Sequence, residues 1–214
     1  MKNLLLTITF FFALTEVMAN DNERFMQAMG ETLSEMGKAK TPASMQDVAN
    51  KFERIANSES NEWLANYYAA LTYTLMAIEQ KEATSIDQYL DKADSFIEKL
   101  TKQKVTAPDE LEVLKAQVAM MRISVDGPAR WMQYGAIFEG AIAKAKEING
   151  QNPRAYALKA MMIFNTPAQF GGGAEKACPE IEAAIQKFAN FKPASAIAPN
   201  WGLQQVESMK KACK

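Results

Sequence analysis

The feature of this sequence that most constrains its fold is the regular recurrence of strongly apolar segments. These segments begin near Asn61, Ala107 and Asn152, at intervals of 46 and 45 residues, and each is followed by a segment with one apolar face. A helix that is apolar all round has to be packed on several sides, whereas a one-faced helix covers a surface. The alternation predicts an all-α fold of antiparallel helical hairpins stacked on one another. A bundle of unrelated helices is the alternative, but it does not explain the regular spacing.

The segment from Asn152 to Gly173 is the most complete example of this pattern. An almost wholly apolar helix is followed by a Thr166-Pro167 turn and then by three consecutive glycines. Glycines before a helix also suggest a phosphate-binding loop, because bare backbone amides can hold an anion. No Lys-Ser/Thr pair follows them and no strand precedes them, which argues against that interpretation. We expect the glycines to adopt positive φ and to let Phe170 fold back onto the stack.

Hydrophobic periodicity predicts about nine helices and no strand over residues 20–214, which we treat as a single domain. Gly135 and Gly140 fall inside the sixth of these helices and weaken it by ~1 kcal/mol each relative to alanine. We expect the close approach of a neighbouring helix to explain them. Glu110 lies in the first turn of the fifth helix, where carboxylates favour the helix dipole, and Glu112 follows just beyond it. We interpret them as helix-start and solvent-face charges.

Residues 1–19 have the layout of a secretory signal peptide. A basic start at Lys2 precedes an apolar run from Leu4 to Leu14, and small residues lie before a cut after Ala19. This run of eleven residues falls short of the roughly 20 needed to span a bilayer. We therefore predict a periplasmic or secreted protein with no membrane span after removal of the signal.

Charge and composition exclude several classes of function. The chain carries 24 basic and 25 acidic residues, a net charge of −1, which gives no basic surface for nucleic acid. It contains no histidine, which removes the commonest general base and the imidazole metal ligands. The methionines fall mainly on apolar helix faces, so core packing explains them better than a copper site does. We predict no cofactor, no metal site and no catalytic residues.

The two cysteines predict a disulfide. Cys178 lies 13 residues before Phe191, where the penultimate helix is expected to end, and Cys213 lies 12 residues after Trp201, where the last helix is expected to begin. If these two helices pair antiparallel, their near-equal arms bring the sulfurs to the same level. An exported protein also lies in an oxidising compartment, which favours a disulfide over two free thiols.

The densest aromatic group consists of Trp63, Tyr67, Tyr68 and Tyr73. We favour the interpretation that these side chains fill the space between helices, as aromatic side chains do in most cores. The alternative is that they line a concave groove that binds a peptide or a partner helix.

The chain also resembles a known family. Trp63 and Tyr67-Tyr68 occupy the first helix of a hairpin, as large residues do in the tetratricopeptide-repeat-like superfamily, although these repeats are longer than the usual 34 residues. In more detail, Asn152 to Tyr156, Phe170 to Gly173 and Pro199 to Gly202, with a cysteine near the end, resemble uncharacterised exported tetratricopeptide-like proteins of Bacteroidetes. The resemblance implies a TPR-like α-solenoid and no catalytic residues.

These observations lead to one main hypothesis and two alternatives. The main hypothesis is an exported, non-catalytic module that binds an unidentified protein or peptide, or serves as a scaffold. The first alternative is an enzyme that uses carboxylates in a groove. The second is a carrier of a small apolar ligand. The oligomeric state does not follow from the sequence.

Overall fold

The structure is a computed structural model that describes residues 22–213, and within that range its regular structure is entirely helical. The predicted signal peptide, residues 1–19, lies outside the described residues. There are nine α-helices and one 3-10 turn in this range: α1 (residues 22–38), α2 (Pro42–Ser58), α3 (Trp63–Ile78), α4 (Ala83–Thr101), α5 (Pro108–Val125), α6 (Gly127–Ile148), α7 (Pro153–Asn165), the 3-10 turn (Ala168–Phe170), α8 (Ala174–Asn190) and α9 (Leu203–Lys210). None of the described helices is long and apolar enough to cross a membrane.

The helices pack as three consecutive hairpins, α3 with α4, α5 with α6 and α7 with α8. The first helices of the hairpins also contact one another, α3 against α5 and α5 against α7, so they form an inner layer. Helices α4, α6 and α8 form an outer layer. Helix α3 is buried along most of its length, whereas α4 and α8 bury one face each. The predicted all-α stack of antiparallel hairpins is confirmed.

Helix α9 is shorter than the predicted segment from Trp201 to Cys213, and it packs against α7 and α8. It begins after Gly202, whose φ of 105° ends the preceding connection in a left-handed conformation. Trp201 therefore lies outside the helix, and its side chain is free to reach the inner layer. Cys178 on α8 and Cys213 beyond α9 form a disulfide with a Cα–Cα distance of 5.7 Å. The structure thus contains the cysteine pair that the helix arms predict.

The chain folds back against the C-terminal end of α7 at the three glycines that follow this helix. The expected positive φ is present at Gly171 and Gly173, with 84° and 106°, but not at Gly172. A Cβ on Gly172 would lie 2.2 Å from the carbonyl oxygen of Thr166, so no larger residue fits there. The expectation that Phe170 folds back onto the stack is wrong, because its side chain is 66% exposed.

A candidate ligand-binding cleft and a closed inner face

The four aromatic residues predicted to line a groove are all buried: Trp63, Tyr67, Tyr68 and Tyr73. They do not form one surface. Trp63 donates its indole N–H to the Thr106 hydroxyl, and Tyr73 donates its hydroxyl to Glu53 and stacks on Phe96. Only Tyr67 and Tyr68 face the connection between α8 and α9.

The connecting segment, residues 191–202, covers these two tyrosines. The Tyr68 hydroxyl donates to the carbonyl oxygen of Ile197 at 3.0 Å, and the Trp201 indole N–H donates to the Tyr67 hydroxyl at 2.9 Å. Ile197 is itself part of the same hydrophobic cluster as α3. The chain's own segment thus occupies this face, and the aromatic group packs in the interior, while a partner-binding groove at these residues stays a prediction.

A buried ion pair lies beneath the covering segment. Arg154 on α7 is 2% exposed and donates from Nε and Nη2 to the carboxylate of Glu110 on α5, which is 5% exposed. Asn152 donates to Glu110 at 2.7 Å, and Tyr67 donates to it at 3.2 Å. The guanidinium also lies 4.5 Å from the ring centroid of Phe191. Burial, and then the Glu110 carboxylate, raise the pKa of Tyr67 well above its ordinary value.

Glu110 is therefore not the solvent-face charge that its position in the first turn suggests. The sequence contains one signal for this pair, which is an arginine at the start of a largely apolar helix. A charge at such a position is expected to have a buried partner. Because that partner lies 44 residues away, periodicity alone does not identify it.

An open cleft lies on the opposite side of α5, between the outer helices α4 and α6. Its volume is about 320 Å³. Its floor is apolar and comes from Val118, Ala119 and Ala141, while Tyr134 and Ile137 stand on the α6 wall. The remaining lining residues are Asp94, Glu112, Lys115, Arg122, Ala136 and Gly140. The cleft thus combines an apolar base with charges.

Gly140 explains why α6 forms a wall of this cleft rather than a packed helix surface. No atom lies within 4 Å of the position that a Cβ on Gly140 would take. The expectation that a neighbouring helix approaches Gly140 is wrong. A Cβ on Gly135 would meet the Trp131 side chain of the same helix at 2.9 Å, so that glycine does not report a neighbouring helix either. Beside Gly140, the aliphatic side chain of Ile137 is 50% exposed.

The charges at the edge of the cleft are paired with one another. Arg122 on α5 donates to Asp87, Asp91 and Asp94 of α4, and its guanidinium carbon lies 5.8 Å from the Tyr134 ring centroid. Burial acts to lower the pKa of Arg122, but the hydrogen bonds to Asp94 and Asp91 outweigh it and raise the pKa. The hydrogen bond from Arg130 lowers the pKa of Asp87.

The two acids that line the cleft, Asp94 and Glu112, each contact a cation, Arg122 and Lys115 respectively. Both carboxylates are thus held in ion pairs with a neighbouring cation. A second recess, of about 360 Å³, lies at the turn between α3 and α4, and its lining includes Gln80, Lys81 and Ser124. The first cleft has the more apolar floor. Fold and cleft together define a stack of helical hairpins with an open cleft on its outer side.

Comparison with known proteins identifies a family for this chain. No protein-family model matches the chain, and no curated protein matches it. Among solved structures, the chain is similar to the HusA haemophore from Porphyromonas gingivalis, with 32% sequence identity and a TM-score of 0.78. The match covers 89% of this chain and 92% of the haemophore chain. The chain belongs to the family of the HusA haemophore.

Proposed function

We propose that this protein is an exported, non-catalytic carrier that captures haem or a related tetrapyrrole in the cleft between α4 and α6. The observation that carries the proposal is the 32% identity with a haemophore over nearly the whole of both chains. The disulfide between Cys178 and Cys213 supports export to the periplasm or the cell exterior, because disulfides persist in oxidising compartments. The apolar-ligand carrier thus replaces the peptide-binding module as the leading hypothesis.

The cleft suits one edge of a flat ligand that is apolar on its faces and charged at its periphery. Val118, Ala119 and Ala141 offer an apolar floor, and the absence of a side chain on Gly140 leaves the wall open. At about 320 Å³ the cleft is at the small end of ligand pockets. The rest of a tetrapyrrole would lie over the exposed Ile137 side chain. The cargo would therefore sit in an open cleft and not in a closed cavity.

Iron ligation has a narrow choice in this chain, because the sequence contains no histidine. Haem iron accepts a tyrosine oxygen in some proteins, and Tyr134 is the tyrosine of the cleft. Ferric iron in bound haem would supply a site for that oxygen. The apolar contacts do not depend on iron, so we expect the metal-free porphyrin to bind as well.

The test is absorbance titration with haemin of the wild-type protein and of Gly140→Leu. Leucine at this position meets no atom of the protein at its Cβ and favours the helix by up to ~1 kcal/mol, so the variant should be at least as stable. Its side chain would fill the cleft, and we expect haemin affinity to fall by at least about tenfold. Haemin affinity unchanged in Gly140→Leu would contradict this site.

The matched control is Gly30→Leu. Gly30 is also an exposed glycine inside a helix, α1, with no atom within 4 Å of its Cβ position. This variant should gain similar stability and keep wild-type affinity for haemin. If the wild-type protein itself shows no haemin-dependent change in absorbance, tetrapyrrole capture is wrong.

The finer classification as a tetratricopeptide-like repeat belongs to this proposal too. It is supported by the inner layer of α3, α5 and α7, each paired with an outer helix. A protein- or peptide-binding role at the inner face would require residues 191–202 to leave Tyr67 and Tyr68. We therefore propose ligand capture at the outer cleft as the function, with a scaffolding role second to it.

A further inference from the structure

Arg122 lies at the edge of the cleft, and its single positive charge is surrounded by three carboxylates. Its Nη2 donates to Oδ1 of Asp91 at 2.7 Å and to Oδ2 of Asp94 at 2.6 Å, while Nη1 donates to Asp87 at 3.1 Å. Asp87 is also held by both terminal nitrogens of Arg130, each at 2.7 Å. Three carboxylates thus meet two guanidinium groups, which leaves a local surplus of one negative charge.

Asp91 and Asp94, which both accept from Nη2 of Arg122, differ in their position relative to the cleft. Asp94 lines the cleft, whereas Asp91 is not among the lining residues. Their side chains are 49% and 71% exposed, so each can leave Arg122 for water at little cost. If Asp94 alone moved away, Asp91 and Asp87 would still contact Arg122, so the guanidinium would keep charge partners. The surplus makes Asp94 exchangeable.

We propose that a carboxylate of the bound ligand replaces Asp94 on Arg122, so that Arg122 selects tetrapyrroles that carry peripheral carboxylates. This inference rests on the proposed function and names the chemistry that the cleft recognises. A guanidinium binds a carboxylate through parallel N–H donors, and the bond is stronger when it is partly shielded from water. Arg122 is nearly buried and lies beside the Tyr134 ring, which holds the guanidinium at the wall.

The geometry also explains how one ligand can satisfy both parts of the cleft. Arg122 and Val118 are four residues apart on α5, so they lie on one face of that helix. A carboxylate on Nη2 would therefore leave the apolar ring of the same molecule over the floor of the cleft. A ligand without carboxylates would cover the floor but would not displace Asp94.

The experiment compares protoporphyrin IX with its dimethyl ester by fluorescence titration in one mixed solvent. The wild-type protein should bind the free acid at least about fivefold more tightly, because a site with a charged donor rejects an analogue that lacks the acceptor. Arg122→Gln should reduce that preference to near one. Circular dichroism verifies the fold of each variant. Asp94→Asn and Asp91→Asn provide a second test, which does not depend on the folding of Arg122→Gln.

Asp94→Asn and Asp91→Asn distinguish two effects on binding of the free acid. One is the replacement of Asp94 by the ligand carboxylate on Arg122, and the other is long-range repulsion between the aspartates and that carboxylate. Both remove one negative charge next to Nη2, but only Asp94 lines the cleft. We expect Asp94→Asn to strengthen binding of the free acid by about threefold and Asp91→Asn to change it less. Neither should change binding of the ester.

Equal effects of the two Asp variants, or equal affinity of the wild-type protein for acid and ester, would overturn the inference while leaving tetrapyrrole capture intact. If the wild-type protein binds neither porphyrin, the proposed function fails and this inference fails with it. A free-acid preference that Arg122→Gln abolishes and Asp94→Asn increases supports it.

Discussion

The inner and outer faces of this protein differ in how their arginines are paired with carboxylates. The two residues to compare are Arg122 on α5 and Arg154 on α7. Arg154 has one main anionic partner, Glu110, and the pair is closed off by residues 191–202. Arg122 has three carboxylate partners, of which two are substantially exposed. A buried pair without surplus holds a structure together, whereas an exposed surplus leaves a partner that a ligand can replace.

The same contrast extends to the surfaces around the two arginines. On the inner face, the tyrosine hydroxyl groups form hydrogen bonds within the chain, with Ile197, Glu110 and Trp201. On the outer face, Gly140 and Ile137 leave apolar surface open to solvent. If this division is correct, changes at the inner face should alter stability and leave ligand binding unchanged.

The largest effect should come from breaking the buried ion pair with Arg154→Met. Methionine keeps much of the side-chain volume but leaves the Glu110 carboxylate buried without its cation. Removing one partner of a buried pair costs roughly 3–5 kcal/mol of unfolding free energy. Chemical denaturation followed by circular dichroism measures this loss.

The control for Arg154→Met is Lys144→Met. Lys144 pairs with Glu147 on the surface of α6, and both side chains are more than half exposed. Its removal should not change stability measurably, because exposed pairs contribute little. A loss below about 1 kcal/mol in Arg154→Met would show that the inner face is not held by this pair.

The second effect concerns the disulfide, which closes the chain around the segment that covers the inner face. Reducing the bond between Cys178 and Cys213, 35 residues apart, should lower the unfolding free energy by roughly 2–4 kcal/mol. The comparison is denaturation with and without reductant. The Cys178→Ser/Cys213→Ser double variant should lose the same stability and no longer respond to reductant. A wild-type denaturation curve that reductant does not shift would contradict the prediction.

The helical hairpins and the cysteine pair could be predicted because both depend on local spacing. Periodicity locates helices from near neighbours, and antiparallel helices with near-equal arms are expected to bring Cys178 and Cys213 together. The closure of the inner face could not be predicted in this way. It depends on Trp201 lying outside α9 and reaching Tyr67, a contact between residues 134 positions apart. Periodicity marked the aromatic residues but contained no information on what covers them.

The outer cleft escaped sequence analysis for a different reason. A glycine inside a helix is often explained by close packing, and that is the interpretation that the sequence favours for Gly140. In the structure, the space beside Gly140 is open. Arg122 and its three aspartates come from two helices and have ordinary sequence surroundings, so a cluster at the cleft edge appears only when the hairpins are stacked.

The smallest effect tests the division between the faces most directly, through Trp201→Phe. Phenylalanine retains an aromatic ring but removes the indole N–H that Tyr67 accepts. Loss of one buried hydrogen bond should cost about 1 kcal/mol of unfolding free energy. Haemin affinity should not change, since Trp201 does not line the outer cleft. A Trp201→Phe variant that folds but binds haemin at least about tenfold more weakly would place the ligand at the inner face, and the covering segment would then have to open for capture.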